Sequence, residues 1–512
     1  MEKEDRSREL KGLAVTQVAS VLAVAVMATF TAAAHAVVVS GFEGTSQANN
    51  SLLDGAFRPP DTMGAIGTTQ YMETTNGSVT IYDRSGTVLS RVGANAFWQG
   101  MGQSGSRGDQ RVLFDHYTNR WIAVGFGGTT NVVVIGVSDT ANALGTWKST
   151  SIVGPSNRVL DYPTLAIDNK GVYIGTNNFE PGFVGTSLFS IPKADLFGGA
   201  PTVANLTEFT TPFPGPDRGF AIQGAVNWQG NPTNTANIVA VSRDQFDTLT
   251  YKVQGVNAAG ATQTAVNEVN EGAYTFNGPG RQPDGTRLVD TLDDRYSANV
   301  VQVNGKLYAV HTVTTPGGQY TQLRWLVLDA TTGGLIEQGT IGGGDYDYYQ
   351  GSIAVNELGQ AVIGYNRSGF QTEDLNLDGL PDGRISIFAQ VLESDAGGGL
   401  DLFGDPLLLR VSDVSDYRCG PRTSIDEACR QRWGDYAAVT IDPLDHDNFW
   451  VIGEYAADWF NYGTDASPLI RANWHTYIAS IDLSPARIPE PGTLALLGLG
   501  LAGLAASRRR RH

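Results

Sequence analysis

The sequence predicts an all-β protein, a single β-propeller with seven blades as the leading count, flanked by an apolar helix at each end. Three observations predict it: 62 glycines with only 17% charged residues in a chain of 512, one aspartate-led phrase recurring seven times, and hairpin turns with apolar runs on both sides. A glycine-rich, charge-poor chain suits many short strands joined by tight turns. Its 41% hydrophobic content is enough for a sizeable core.

At the N-terminus, Lys3, Arg6, Arg8 and Lys11 precede an apolar run from Leu13 to Ala34 that ends in Ala34-His35-Ala36. A basic start, an apolar stretch and a small-x-small ending are the parts of a secretory leader, so residues 1–36 read as a signal peptide cleaved between Ala36 and Val37. The acids Glu2, Glu4, Asp5 and Glu9 are atypical of a leader and leave an uncleaved anchor, or a start codon placed too early, as alternatives. Residues 37–58 follow as an N-terminal extension.

The ectodomain, residues 59–484, repeats an aspartate, a small or apolar strand, a polar turn and a second apolar strand. The units open at Asp61, Asp109, Asp161, Asp217, Asp294, Asp347 and Asp435. Turns such as Asn119-Arg120, Asn169-Lys170-Gly171, Asn304-Gly305-Lys306 and Asp442-Pro443 separate the first strand from the second. Asn-Gly and Asp-Pro between apolar segments are hairpin signals. Third strands follow in NVVVIGVS (131–138), QLRWLVLD (322–329) and HTYIASID (475–482). Antiparallel hairpins repeated in this way stack as propeller blades, with six or eight blades or a pair of β-sandwiches as alternatives.

The chain closes with a linker, 485–492, containing Pro489-Glu490-Pro491, then the apolar stretch from Thr493 to Ala506, then Arg508, Arg509, Arg510 and Arg511. These three parts in this order resemble the PEP-CTERM sorting signal, with residues 493–512 as anchor and basic tail. The resemblance implies recognition by an exosortase, cleavage near Pro-Glu-Pro, and transfer from the cytoplasmic membrane to the surface or exopolysaccharide matrix of a Gram-negative bacterium. Fourteen apolar residues span only about 21 Å, short of a bilayer core, so the anchor would be transient or helped by snorkelling flanks. The arginines would stay cytoplasmic.

Across residues 59–482 the phrases PPDTMGAIG (59–67), VDTLDDR (289–295), GSIAVNELGQAVIGY (351–365) and RWGDYAAVTIDP (432–443) resemble a family of secreted, mostly uncharacterised bacterial propeller-like proteins. That resemblance implies the architecture and no reaction.

Several residues are candidates for chemistry. Asp374, Asn376, Asp378 and Asp382 place oxygen donors at loop positions 1, 3, 5 and 9, Leu380 adds its carbonyl, and Gly379 supplies the sharp turn; the pattern suits structural Ca²⁺. Position 12 is Ile385, so the closing glutamate of an EF-hand is absent, and an acidic turn is the plainer alternative. Cys419 and Cys429, in an exported chain, read as a disulfide. The unit-opening aspartates either gather at one mouth of the central channel or fix the turns before the strands. Were the protein a glycoside hydrolase or lyase, its carboxylates would come first from Asp435, Glu454, Asp294 and Asp61, with Tyr436 and Arg432 near in sequence. Ser138-Asp139 before Gly145-Thr146-Trp147 weakly resembles a sialidase Asp-box with the wrong spacing, and Trp98, Trp121, Trp147, Trp433 and Trp450 read as blade packing.

Other classes are excluded more firmly. With 52 acidic against 35 basic residues and a net charge of −17, the chain has no basic stripe for nucleic acid. No H-E-x-x-H pair, G-x-S-x-G elbow or phosphate loop occurs, and the tail's Gly498-x-Gly500-x-x-Gly503 opens no βαβ unit. The expected function is therefore a non-enzymatic binding propeller outside the cell, with exopolysaccharide as a possible ligand and the hydrolase as its rival.

Overall fold

The computed structural model describes residues 37–484 except 211–217, 243–246, 276, 284, 286–287, 315, 375–377, 395–398, 416–431 and 462–469. The leader, Asp217, Asn376, both cysteines and the C-terminal sorting segment lie outside the described residues. Among the described residues the helices are three short ones, Gln47–Ser51, Ala94–Gly100 and Lys193–Phe197. No helix there is long and apolar enough to cross a membrane.

Apart from turns and loops the described chain is sheet, antiparallel throughout but for one pairing and one isolated bridge. Five sheets stand alone, and a nine-stranded one consists of two antiparallel groups joined only by the parallel pairing of Ala225–Asn227 with Val300–Gln302, which makes seven groups. We number them in chain order as blades 1 to 7. Their innermost strands are Met63–Ile66, Ser106–Asp115, Val159–Asp161 with Ala166–Ile167, Arg218–Asn227, Val300–Val303, Tyr346–Val355 and Ala438–Asp442. Blade 7 takes its outermost strand from the other end of the chain, because Val37–Ser46 pairs with Ile470–Asp482. The segment ahead of the first repeat thus shields a sheet edge that would otherwise be open to pairing with another chain.

Side chains on the innermost strands bond each blade to the next. Gln110 Nε2 donates to Thr75 O (2.6 Å), Arg111 Nε to Pro163 O (3.2 Å), Thr164 Oγ1 to Ile222 O (2.7 Å) and Gln223 Nε2 to Tyr296 O (2.8 Å). Thr321 N donates to Asp347 Oδ1 (3.0 Å), Val439 N to Ser352 Oγ (2.8 Å) and Asp435 N to Asp61 Oδ1 (2.9 Å). Every neighbouring pair is bonded, the last to the first included, so the blades form a closed circuit.

These bonds are possible because the innermost strands bulge. Asp61, Asp109, Tyr162, Ala221 and Gln350 have positive φ, between 49° and 57°. The pairing register also slips between Gly108 and Arg111, Phe220 and Gln223, and Tyr349 and Ser352. An extra residue on one strand re-aims the side chains beside it, here toward the next blade. Between blades the packing is apolar and close: a Cβ on Gly67 of blade 1 would lie 2.5 Å from Trp121 Cζ2 of blade 2.

Candidate functional site

The strands begin at one mouth of the central channel, and the opening aspartates divide there. Asp61, Asp109, Asp161 and Asp435 converge. Asp61 Oδ1 accepts the Asp435 main-chain N–H, its Oδ2 accepts Asn76 Nδ2 (2.6 Å), and Asn76 Oδ1 accepts the N–H of Asp109 (2.8 Å). Asp435 is ion-paired to Arg432, whose Nε lies 3.7 Å from Asp290. Arg295 Nη1 approaches Asp435 at 4.0 Å while its Nε binds Asp293 at 2.6 Å.

Burial dominates the electrostatics of this cluster. It pushes the Asp61 carboxyl up to about 7, with repulsion from Asp435 adding to the effect. It also raises Asp109 well above the carboxylate range, helped by Asp61, Asp161 and Asp435, and raises Asp161 even though Arg295 opposes the shift. A buried carboxylate without its own cation keeps its proton.

Arg111 fills the axis behind these acids. Its guanidinium contacts Pro163 O and Ser297 O, each at 3.2 Å, and lies 3.8 Å from the Tyr436 ring centroid. Nη1 also faces Met63 Sδ at 3.4 Å. One side chain thereby ties together blades 1, 2, 3 and 7 and the segment leading into blade 5. Only 1% of Arg111 is exposed, which makes it a plug rather than a channel lining.

The other aspartates lie elsewhere. Asp294 accepts Tyr274 OH (3.0 Å), and its main-chain oxygen faces His311 Nδ1 (2.8 Å); burial, then Asp293, pushes its carboxyl up to about 6. Asp347 is bound by Arg281 and by the N–H groups of Arg281 and Thr321. Glu454 is buried behind Gly434, where a Cβ would come within 2.8 Å of its Oε2.

In the Asp374–Asp382 loop, Asp374 accepts the N–H groups of Asp378 (3.0 Å) and Gly379 (2.8 Å), and Gly379 has φ +87°. Asn376 lies outside the described residues; Asp374, Asp378 and Asp382 supply hard oxygen donors of the kind Ca²⁺ takes. Among the described residues no three metal-ligating side chains gather anywhere. Ser138, Asp139 and Trp147 form a hairpin corner in which Asp139 pairs with Lys148 (2.9 Å) and Trp147 Nε1 donates to Ala143 O (2.8 Å). Trp98, Trp121, Trp433 and Trp450 are buried.

The opposite mouth holds an open cavity of about 330 Å³, lined by Trp228, Gln229, Val303, Val355, Glu357, Ile441 and His446. Its polar members sit on the hairpin turns that follow the innermost strands of blades 4 and 6 and at the start of the second strand of blade 7. Sequence reading missed this group, because residues as far apart as Trp228 and His446, 218 positions, share no motif. The one available signal was Trp228, an aromatic residue in a turn, although it also packs against the core on two sides.

With both mouths described, comparison with known proteins adds one fact about the C-terminus. The chain carries a PEP-CTERM protein-sorting motif over residues 487–511. A PEP-CTERM motif marks an exported protein sorted through an exosortase. No curated protein matches the chain. Among solved structures, the Dos1 propeller shares 9% identity, covering 86% of this chain and 94% of its own, at a TM-score of 0.38. The extracellular domains 1-2 of Drosophila Semaphorin 1b share 9% over 86% of each chain at 0.36. A protein of unknown function from Dyadobacter fermentans shares 9%, covering 86% of this chain and 98% of its own, at 0.35. Likeness this distant carries nothing about ligand or activity, and the architecture is read from the chain's own sheet pairing.

Proposed function

We propose that this PEP-CTERM protein is a non-enzymatic binding propeller, tethered at the cytoplasmic membrane until exosortase processing and then displayed at the cell surface or in the exopolysaccharide matrix. The contrast between the two mouths supports this reading. At one, the Asp61 and Asp435 carboxylates are committed to Arg432, Asn76 and a main-chain N–H group, and Arg111 fills the axis. At the other lies an open cavity that Trp228 helps to line, with Glu357 as the sole carboxylate among the described residues around it. Hydrolysis of a glycosidic bond needs two carboxyl groups flanking the same bond.

One observation favours the rival, a glycoside hydrolase or lyase: Asp61, held up to about 7 beside the arginine-paired Asp435, is a protonated acid next to a second carboxyl. Asp61 is only 4% exposed, which leaves a sugar little room to reach it. Incubating the protein with a panel of exopolysaccharides separates the two readings. Retention without release of reducing ends supports the binding propeller, whereas release abolished by Asp435→Asn establishes the hydrolase. We also propose Ca²⁺ as a structural brace in the Asp374–Asp382 loop, its role being to stiffen a long hairpin.

A further inference from the structure

The cavity at the second mouth has a rim built by several blades. Gln229 Nε2 donates to Asn304 Oδ1 (2.7 Å), and Asn304 N donates back to Gln229 Oε1 (2.6 Å). Asn304 Nδ2 then donates to Glu357 O (2.8 Å), and the Glu357 carboxylate bonds His446 Nδ1 with both oxygens at 2.8 Å. Turns of blades 4, 5, 6 and 7 are joined in sequence, so amide, carboxylate and imidazole groups are held in place before any ligand arrives.

Inside this rim, Val303, Val355 and Ile441 are buried and apolar. Trp228 is half-buried and fixed from behind: the His116 ring stacks on it with centroids 4.4 Å apart and an interplanar angle of 19°. One indole face is therefore covered, the ring also packs against the core, and part of its remaining surface lines the cavity. Burial holds the His116 imidazole down to about 4, so this stack is uncharged at neutral pH.

Size and charge narrow the ligand. A volume of about 330 Å³ lies at the small end of ligand pockets. Among the described residues no Lys or Arg lines it, Glu357 is hydrogen-bonded to His446, and the chain as a whole is acidic. A polyanion would find no countercharge there. A pyranose ring combines an apolar C–H face, which suits an aromatic ring, with hydroxyls at its edge, which suit a rim of mixed donors and acceptors.

We propose that this cavity binds a pyranose unit of a neutral saccharide, its C–H face on Trp228 and its hydroxyls on Gln229, Glu357 and His446. The inference rests on the binding-propeller reading and gives it a site and a ligand class. The test is calorimetric titration of the full-length protein with neutral cello-, manno- and galacto-oligosaccharides and with oligo-alginate as the polyanionic counterpart. Trp228→Ala is compared with the double variant Glu357→Ala/His446→Ala, whose exposed rim positions can change without disturbing the fold. The expected result is binding of at least one neutral oligosaccharide, weakened tenfold or more by both variants and untouched by Asp435→Asn. Neutral binding that survives both variants would remove the site while leaving the binding reading intact. Preference for oligo-alginate would overturn the ligand class, and no binding by the folded protein to any probe would overturn the inference and the saccharide part of the underlying reading together.

Discussion

The main-chain N–H of Asp435 donates to Asp61 Oδ1 at 2.9 Å, joining the last blade to the first across the junction where the ring closes. Arg84, paired with Asp442, spans the same junction at the other end of the strands. The closure therefore depends on a carboxyl group whose protonation changes near neutrality.

Asp61 titrates at about 7 in the folded protein because it is buried beside Asp435, against about 3.8 ordinarily. Its folded-state pKa is raised, so the folded state holds the proton more tightly, and stability falls as pH rises from about 4 through about 7. Asp61→Asn keeps the acceptor oxygen and removes the ionisation. Urea unfolding between pH 5 and 8 should show a pH dependence smaller by about 2–4 kcal/mol in this variant. An unchanged pH slope would show that Asp61 is not the group responsible.

His311 and Glu271 form a fully buried pair, 2.8 Å from Nε2 to Oε2, and Nδ1 faces the Asp294 carbonyl at 2.8 Å. Both ring nitrogens face acceptors, so the ring must carry two protons. Burial opposes this, yet Glu271 outweighs it and raises the His311 pKa, while His311 in turn lowers that of Glu271. The histidine contribution is complete below its unfolded pKa and is lost as pH rises through the folded value; the glutamate contribution is lost as pH falls through its own. His311→Ala should cost about 3 kcal/mol, since it removes the nearer of two cations from a buried carboxylate and leaves it Arg324 at 3.5 Å. Nitrogen-15 NMR of the ring should find both nitrogens protonated at pH 7.

Glu73 is buried and accepts Thr45 N (3.0 Å), Thr45 Oγ1 (2.8 Å), Tyr82 OH and Thr476 Oγ1. It thereby fastens the strand Val37–Ser46 to blade 1 and to the strand beside it in blade 7. Glu73→Ala should destabilise by about 3 kcal/mol or more, because several buried donors lose their acceptor together. Thermal unfolding measures this, and early protease cleavage near residues 37–46 would show that the outermost strand detaches first.

Calcium bound in the Asp374–Asp382 loop would raise the melting temperature in millimolar CaCl₂ and lower it in EGTA, as any ligand of the native state does. Asp374→Asn should abolish the difference. A melting curve insensitive to calcium in the parent protein would leave the loop as an acidic turn.

The repeating hairpins were legible because their first strands and the two that follow bury both faces: Arg120–Gly127, Gly171–Phe179, Lys306–Val313 and Ala361–Gly369 read as near-continuous apolar runs. The outermost strands were not. Leu335–Ile341 and Leu400–Val411 are largely exposed, and their mixed residues give no clear period. Val37–Ser46 gave no sign of its partner, since its pairing closes a loop of more than 400 residues.

What the sequence determined by itself is therefore local: short-range alternation, turn chemistry and the terminal sorting signal, each written in contiguous residues. Only the tertiary structure decided that Asp61, Asp109, Asp161 and Asp435 meet while Asp294 turns toward His311, that Arg111 fills the axis, and that Trp228, Glu357 and His446 share a cavity. Strand bulges and ring closure aim these side chains, and both depend on contacts between blades that no stretch of sequence contains.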